Sequence, residues 1–192
     1  MKKFFLLILI LVSFYSCTTT KQESDLITGY PTNYPMTSKT ASSLTSNLKM
    51  SIPQGWFFTE DNEFNRIDLW LVRDDYSASI NLTPINLDEK LSTEINNDDL
   101  KFILEVSKKI RKQNLANDFN IVGQDEYFKI NNRNFAAYQY TNLNGIKARV
   151  VVFNYAERFF ELLAVPTIDV GKTKVDVNEL FTIQNSLLAT IR

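Results

Sequence analysis

The chain has 192 residues, 44% of them hydrophobic and 22% charged, which is enough for one packed domain. Its 21 basic and 22 acidic side chains leave no basic excess of the kind a nucleic-acid surface needs. It has no histidine and one cysteine, which excludes Ser-His-Asp and Cys-His catalysis, an internal disulfide and a thiolate metal cluster.

Lys2 and Lys3 open the chain, an apolar run follows at residues 4–12, and Ser13-Phe14-Tyr15-Ser16 leads into Cys17. This is the charged, apolar, small-residue order of an export signal. A spanning helix needs about 20 apolar residues. Residues 4–15 supply only 12 before the polar run Thr18-Thr19-Thr20-Lys21. The segment resembles the bacterial lipoprotein signal, in which a small residue precedes an obligatory cysteine, here Ser16-Cys17. The resemblance implies cleavage after Ser16 and lipidation of Cys17, with an ordinary export signal as the alternative. Loss of Lys2 and Lys3 with the signal leaves 19 − 22 = −3 charges. Two or more acyl chains on one cysteine hold a protein firmly to a membrane, at about 0.8 kcal/mol per buried methylene. The expected location is the cell envelope, with the outer membrane favoured.

Between Thr18 and Ser46 there are 13 Ser or Thr among 29 residues, with Pro31 and Pro35 and few apolar side chains. Such a composition predicts a flexible linker, because it buries too little surface to offset its ordering entropy. The expected organisation is a signal peptide at residues 1–16, a lipidated N-terminus and linker at 17–46, and an α+β domain at 47–192.

Within that domain, residues 48–52 alternate as a half-buried strand and Pro53-Gln54-Gly55-Trp56 reads as a turn. Strands are predicted at 66–72 and 77–83, then a helix starting near Asn97. Asn97 and Asp98 are its cap candidates, and Leu100, Ile103, Leu104, Ser107 and Ile110 form its stripe. Lys108, Lys109, Arg111 and Lys112 lie late in the helix, where a solvated cationic face complements the dipole. An antiparallel meander is predicted at 124–130, 134–141, 146–154 and 158–165. Asn131-Asn132 and Asn144-Gly145 mark its first two hairpins. A last helix is capped by Asp176, with a stripe of Leu180, Ile183, Leu187, Leu188 and Ile191.

This order resembles the PsbP-like α/β/α sandwich: strands opening with Pro53-x-Gly55-Trp56, a charged hairpin carrying Asp68-Leu69-Trp70-Leu71 and Ser77-Ala78-Ser79-Ile80, one helix, a meander and a final helix. The fold is used by an extrinsic photosystem protein, by a nuclear-transport factor that binds a small GTPase, and by bacterial envelope lipoproteins. The resemblance implies an antiparallel sheet with helices packed on it and a binding or assembly role. It implies no shared catalytic residues.

Local motifs add little chemistry. Ser46-Asn47-Leu48-Lys49 has the Ser-x-x-Lys spacing of acyl-serine enzymes without their other motifs. Gly171-Lys172-Thr173 echoes a phosphate loop, but Pro166 stands where its first glycine is required. The acidic groups Asp74-Asp75, Asp88-Glu89 and residues 94–99 do not fit a calcium loop. Lys147 and Arg149 share one strand face, where they either bind an anion or pair with Glu157 or Glu161, the pairing being favoured. Trp56, Trp70, Phe159 and Phe160 are expected in the core. No catalytic, cofactor or metal residue is expected, and Cys17 is the one functional residue. The expected function is a membrane-tethered, non-enzymatic module that binds another envelope protein. The rivals are a carrier of a lipid or other apolar ligand, which would need a large apolar pocket, and a carboxylate-dependent hydrolase.

Overall fold

The computed structural model describes residues 29–59, 67–87, 99–167 and 175–192. Strands β1 (Met36–Ser42) and β2 (Lys49–Pro53) form an antiparallel ribbon. Seven further strands make one antiparallel sheet: β3 (Trp56–Thr59), β4 (Leu69–Arg73), β5 (Ala78–Pro84), β6 (Asn120–Ile130), β7 (Arg133–Thr141), β8 (Lys147–Tyr155) and β9 (Arg158–Pro166). Their order is β3-β4-β5-β9-β8-β7-β6. Two meanders therefore meet at the β5–β9 pair, where Ile80 opposes Ala164 and Leu82 opposes Leu162. Helix α1 (Leu100–Leu115) connects β5 to the far edge strand β6, and α2 (Val177–Leu188) follows β9.

Each helix takes one face of the sheet, and the two-residue strand period decides which side chains meet it. Leu71, Ile80, Leu82, Val151, Phe153, Phe160 and Leu162 pack with Leu180, Phe181, Ile183, Leu187 and Leu188 of α2. On the opposite face Ala136, Tyr138, Val150 and Val152 pack with Leu100, Ile103 and Leu104 of α1. Both faces of β8 are covered, as its two-sided apolar pattern predicts. Full burial of a Leu, Ile or Phe side chain stabilises by about 1.5–3 kcal/mol, so these two layers carry the domain.

The boundaries of α1 and α2 follow local chemistry. Asp99 caps α1 by accepting the amide of Phe102, one residue beyond the candidates Asn97 and Asp98, which lie outside the described residues. Asp176 caps α2 by accepting the amide of Asn178. Asn131 and Asn132 both take positive φ in the β6–β7 turn, as two-residue hairpins demand. The β7–β8 connection is a longer loop in which only Gly145 is left-handed, and the Asn142 carboxamide accepts the amides of Asn144 and Ile146.

The predicted linker is corrected from Gly29 onward. Residues 36–42 form β1, and Tyr30, Tyr34 and Met36 pack against the core that also holds Ala41, Leu48, Met50 and Ile52. The amide of Tyr34 donates to Ser186 Oγ at 3.0 Å, Asn185 Nδ2 donates to the Tyr30 carbonyl at 2.7 Å, and Ser51 donates to Thr190 Oγ1. The ribbon and residues 29–35 thus close over the outer side of α2. That is why Asn185 and Ser186 are buried on a helix whose apolar stripe predicted only one covered side, whereas Gln184 faces the sheet and donates to the carbonyls of Arg149 and Leu162. Composition misled here because β1 contributes backbone hydrogen bonds and a few anchors, not a run of apolar side chains. Thr18 and the other predicted linker residues before Gly29 lie outside the described residues, as does Cys17.

Candidate functional site

Arg111 and Ser107 are four residues apart on α1, so both point toward the same part of the sheet. There they meet Glu161 of β9 and Tyr138 of β7. Arg111 Nη2 pairs with Glu161 Oε1, and Ser107 Oγ donates to Glu161 Oε2 at 2.7 Å. The Tyr138 hydroxyl lies 3.0 Å from Ser107 Oγ and accepts from Arg111 Nε at 3.3 Å. Burial pushes the Tyr138 phenol up to about 12, with Arg111 opposing. Burial also works against the Arg111 charge, but Glu161 and the neighbouring tyrosines outweigh it and leave its pKa raised. Both carboxylate oxygens of Glu161 are engaged, and Arg111 hydrogen-bonds Glu161, Tyr138 and Tyr140.

Beside this network lies a groove of about 190 Å³ between the sheet and the C-terminal half of α1. Asn81, Thr83 and Leu163 form its floor, and Ile110, Arg111 and Asn114 its wall. Asn81 and Trp70 are direct partners across β5 and β4, on the face opposite the α2 core. Among the described residues the buried side-chain polar atoms without a hydrogen-bond partner are Asn81 Oδ1 and the indole nitrogens of Trp56 and Trp70. Two of these three therefore sit on the sheet face that carries the groove. The adjoining flank of α1 bears Phe102, Val106 and Ile110 at four-residue spacing, with Phe102 and Ile110 exposed at 37% and 40%. Ile110 thus leaves the predicted buried stripe and forms the groove's rim.

No family model matches the sequence, and no curated protein is similar to it. Solved structures do match. The cyanobacterial PsbP protein CyanoP from Synechocystis sp. covers 80% of this chain and 91% of its own, with a TM-score of 0.51 at 8% identity. The fold is PsbP-like. LpqN of Mycobacterium tuberculosis, a protein involved in cell envelope biogenesis, covers 75% of this chain and 79% of its own, with a TM-score of 0.42 at 14% identity. At these identities the shared feature is architecture alone.

In the PsbP-like domain, neither partner predicted for Arg149 is found. Arg149 lies on the α2 face and is fully buried, so it presents nothing to an anion in solution. It pairs with Glu126 of β6 at 2.7 Å and donates to the side-chain carbonyls of Gln184 and Asn185, each at 2.9 Å. The rings of Tyr30, Phe128 and Phe181 surround its guanidinium, with the Tyr30 centroid 4.9 Å away. Glu161 is on the opposite face, committed to Arg111, because its strand position has the other parity. Lys147 is half-buried one strand period away from Arg149. Burial pulls the Arg149 pKa down and Glu126 opposes it.

The basic cluster of α1 also divides. Lys109 and Lys112 are solvated as predicted, Lys108 pairs with Glu105 and Asp125, and Arg111 is drawn into the groove wall. Ser46 lies in the β1–β2 turn, bonded to Ser43, and Lys49 is exposed on β2, which is not an acyl-serine arrangement. Asp75 is a turn cap for Ser77, and those hydrogen bonds lower its pKa. Trp56, Phe159 and Phe160 are buried, while Trp70 is only half-buried. Gly171, Lys172, Thr173, Asp88 and Glu89 lie outside the described residues. Among the described residues no group of metal-ligating side chains is present and no helix is long and apolar enough to cross a membrane.

Proposed function

We propose that this protein is a lipid-anchored envelope protein, favoured at the outer membrane, whose PsbP-like domain is a non-enzymatic module that docks another envelope protein on the α1 face. The observation that carries the docking site is the groove beside α1. A groove lined by Asn81, Thr83, Leu163 and Arg111 lies next to a helix flank on which Phe102 and Ile110 are exposed, apolar surface of the kind that a partner covers. Anchoring rests on Ser16-Cys17 and the signal before it. With the domain starting by Gly29, twelve residue steps separate it from Cys17, a reach of at most about 40 Å. The partner therefore lies close to the same membrane.

A lipid carrier fits less well. Ligand pockets for apolar molecules are typically some 300–1,000 Å³, and the groove formed by the described residues offers about 190 Å³ with a mixed polar and apolar lining. A carboxylate hydrolase fits less well because Glu161 and Glu126 are both engaged with arginines.

Labelled fatty acid should enter the wild-type protein and not Cys17→Ser; equal labelling removes the anchor. A photo-crosslinking residue at Ile110 should give one reproducible adduct in cells, whereas the same residue at exposed Leu143 on the β7–β8 loop should not. Equal adducts from both positions, or none from Ile110, would overturn docking on the α1 face.

A further inference from the structure

We infer that the partner meets the α1 face with an acidic surface whose carboxylates lie against a row of lysines on that helix, an inference that rests on the docking reading above. Lys101, Lys109 and Lys112 are exposed on α1 and cover about 16 Å of its length, at 1.5 Å per residue. At 3.6 residues per turn they fall along one border of the Phe102, Val106 and Ile110 row. Arg111 and Asn114, the groove wall, fall along the other. Among the described residues none of the three lysines has an ion-pair partner, whereas Lys108 pairs with Glu105 and Asp125, and Arg111 with Glu161. The exposed side of this helix is thus locally cationic in a chain whose formal net charge is −1.

Helix stability accounts for only one of these lysines. Lys112 lies in the last turn, where a cation complements the dipole. Lys109 precedes that turn and gains little from it. Lys101 lies in the first turn, which holds no acidic residue, and there a cation opposes the dipole. A residue that works against its own element is where a functional demand shows. An acidic surface with an apolar centre answers both features, pairing with the lysines at the rim while its apolar side chains cover Phe102 and Ile110. Anionic lipid headgroups would seek the same charge. However, the chain enters the fold on the other side of the sheet, where Tyr30 and Tyr34 are held by Asn185 and Ser186 of α2. The proposed tether therefore joins the domain on the side away from α1, which favours a protein over the membrane at this face.

The test combines the photo-crosslinking residue at Ile110, in cells, with changes at the three lysines. Lys101→Glu, Lys109→Glu and Lys112→Glu together should cut the adduct about tenfold, since each rim pair contributes about twofold or more. Arginine at all three positions keeps the charge and should keep the adduct. Lys101→Glu alone gives a second readout: it should raise Tm, because a carboxylate suits a helix N-terminus, while cutting the adduct about threefold. This single variant carries the test if the triple glutamate variant does not fold. An undiminished adduct in the glutamate variants, or an equal loss with arginine, would overturn the inference and leave docking at Ile110 standing. No adduct from Ile110 in the parent chain removes both. Lipid is distinguished with the Cys17→Ser chain and phosphatidylglycerol vesicles, where the triple glutamate change is expected to have no effect on binding. Vesicle binding that this change abolishes would assign the face to the membrane and sink the acidic partner.

Discussion

Arg149 is a cation with no exposed surface, and every neighbour around it answers that fact. Glu126 neutralises it, Gln184 and Asn185 accept hydrogen bonds from its Nη1, and three aromatic faces replace the water it loses. Removing one partner of such a pair strands the other charge, at about 3–5 kcal/mol, whereas replacing both by apolar groups of similar volume is often neutral. Glu126→Ala should therefore lower the unfolding free energy by about 3 kcal/mol, and Arg149→Met with Glu126→Leu should recover most of it; both are read from urea melts. A double variant as unstable as Glu126→Ala would refute that account. None of this was legible from the strand pattern, which placed Arg149 and Lys147 together but carried no information on which element covers them. The Ser107–Arg111 pair left a faint signal, two polar side chains at i and i+4 beside the apolar stripe of α1. Only Glu161 arriving from β9 turns that spacing into a network.

At the level of elements, turn chemistry agrees with the backbone in some places and not in others. Asn131 and Asn132 suit the left-handed geometry of their hairpin, while Ala156 and Glu157 adopt φ of 49° and 61° in the β8–β9 turn. Left-handed backbone costs about 1–2 kcal/mol for ordinary L-residues and little for asparagine or glycine. Ala156→Asn with Glu157→Gly should raise the unfolding free energy by about 1 kcal/mol, visible as an upward shift in Tm. No gain would mean that the surrounding β8 and β9 contacts, and not the turn, set its conformation. The edge strand β3 and the ribbon strand β1 escape the pattern for a related reason: one has four residues, and the other is Ser- and Thr-rich. The long, regular meander and both helices were legible because periodicity is repeated over nine or more residues in each.

For the whole molecule, the consequential finding is that the chain from Gly29 belongs to the fold. Tyr30 stacks on Arg149 and meets Phe181 edge-to-face at 5.3 Å, its carbonyl holds Asn185, and its hydroxyl accepts from Gln139 at 3.1 Å. Tyr30→Ala should destabilise the domain by about 3 kcal/mol, as large-to-small core replacements do, whereas a residue in a free linker would have no effect on Tm. An unchanged Tm would restore the linker reading. The same docking leaves at most twelve residue steps between the domain and Cys17, the proposed site of lipidation. The sequence by itself determined the two helices, the hairpin meander and the PsbP-like order, because each is written in neighbouring residues; the expectation of a lipid on Cys17 rests on the sequence alone. Only the tertiary structure decided that residues 29–46 are domain, that Arg149 is buried with Glu126, and that Asn81, Arg111 and Ile110 share one groove. Those outcomes depend on which face of which strand meets which helix, a long-range matter that local periodicity does not encode.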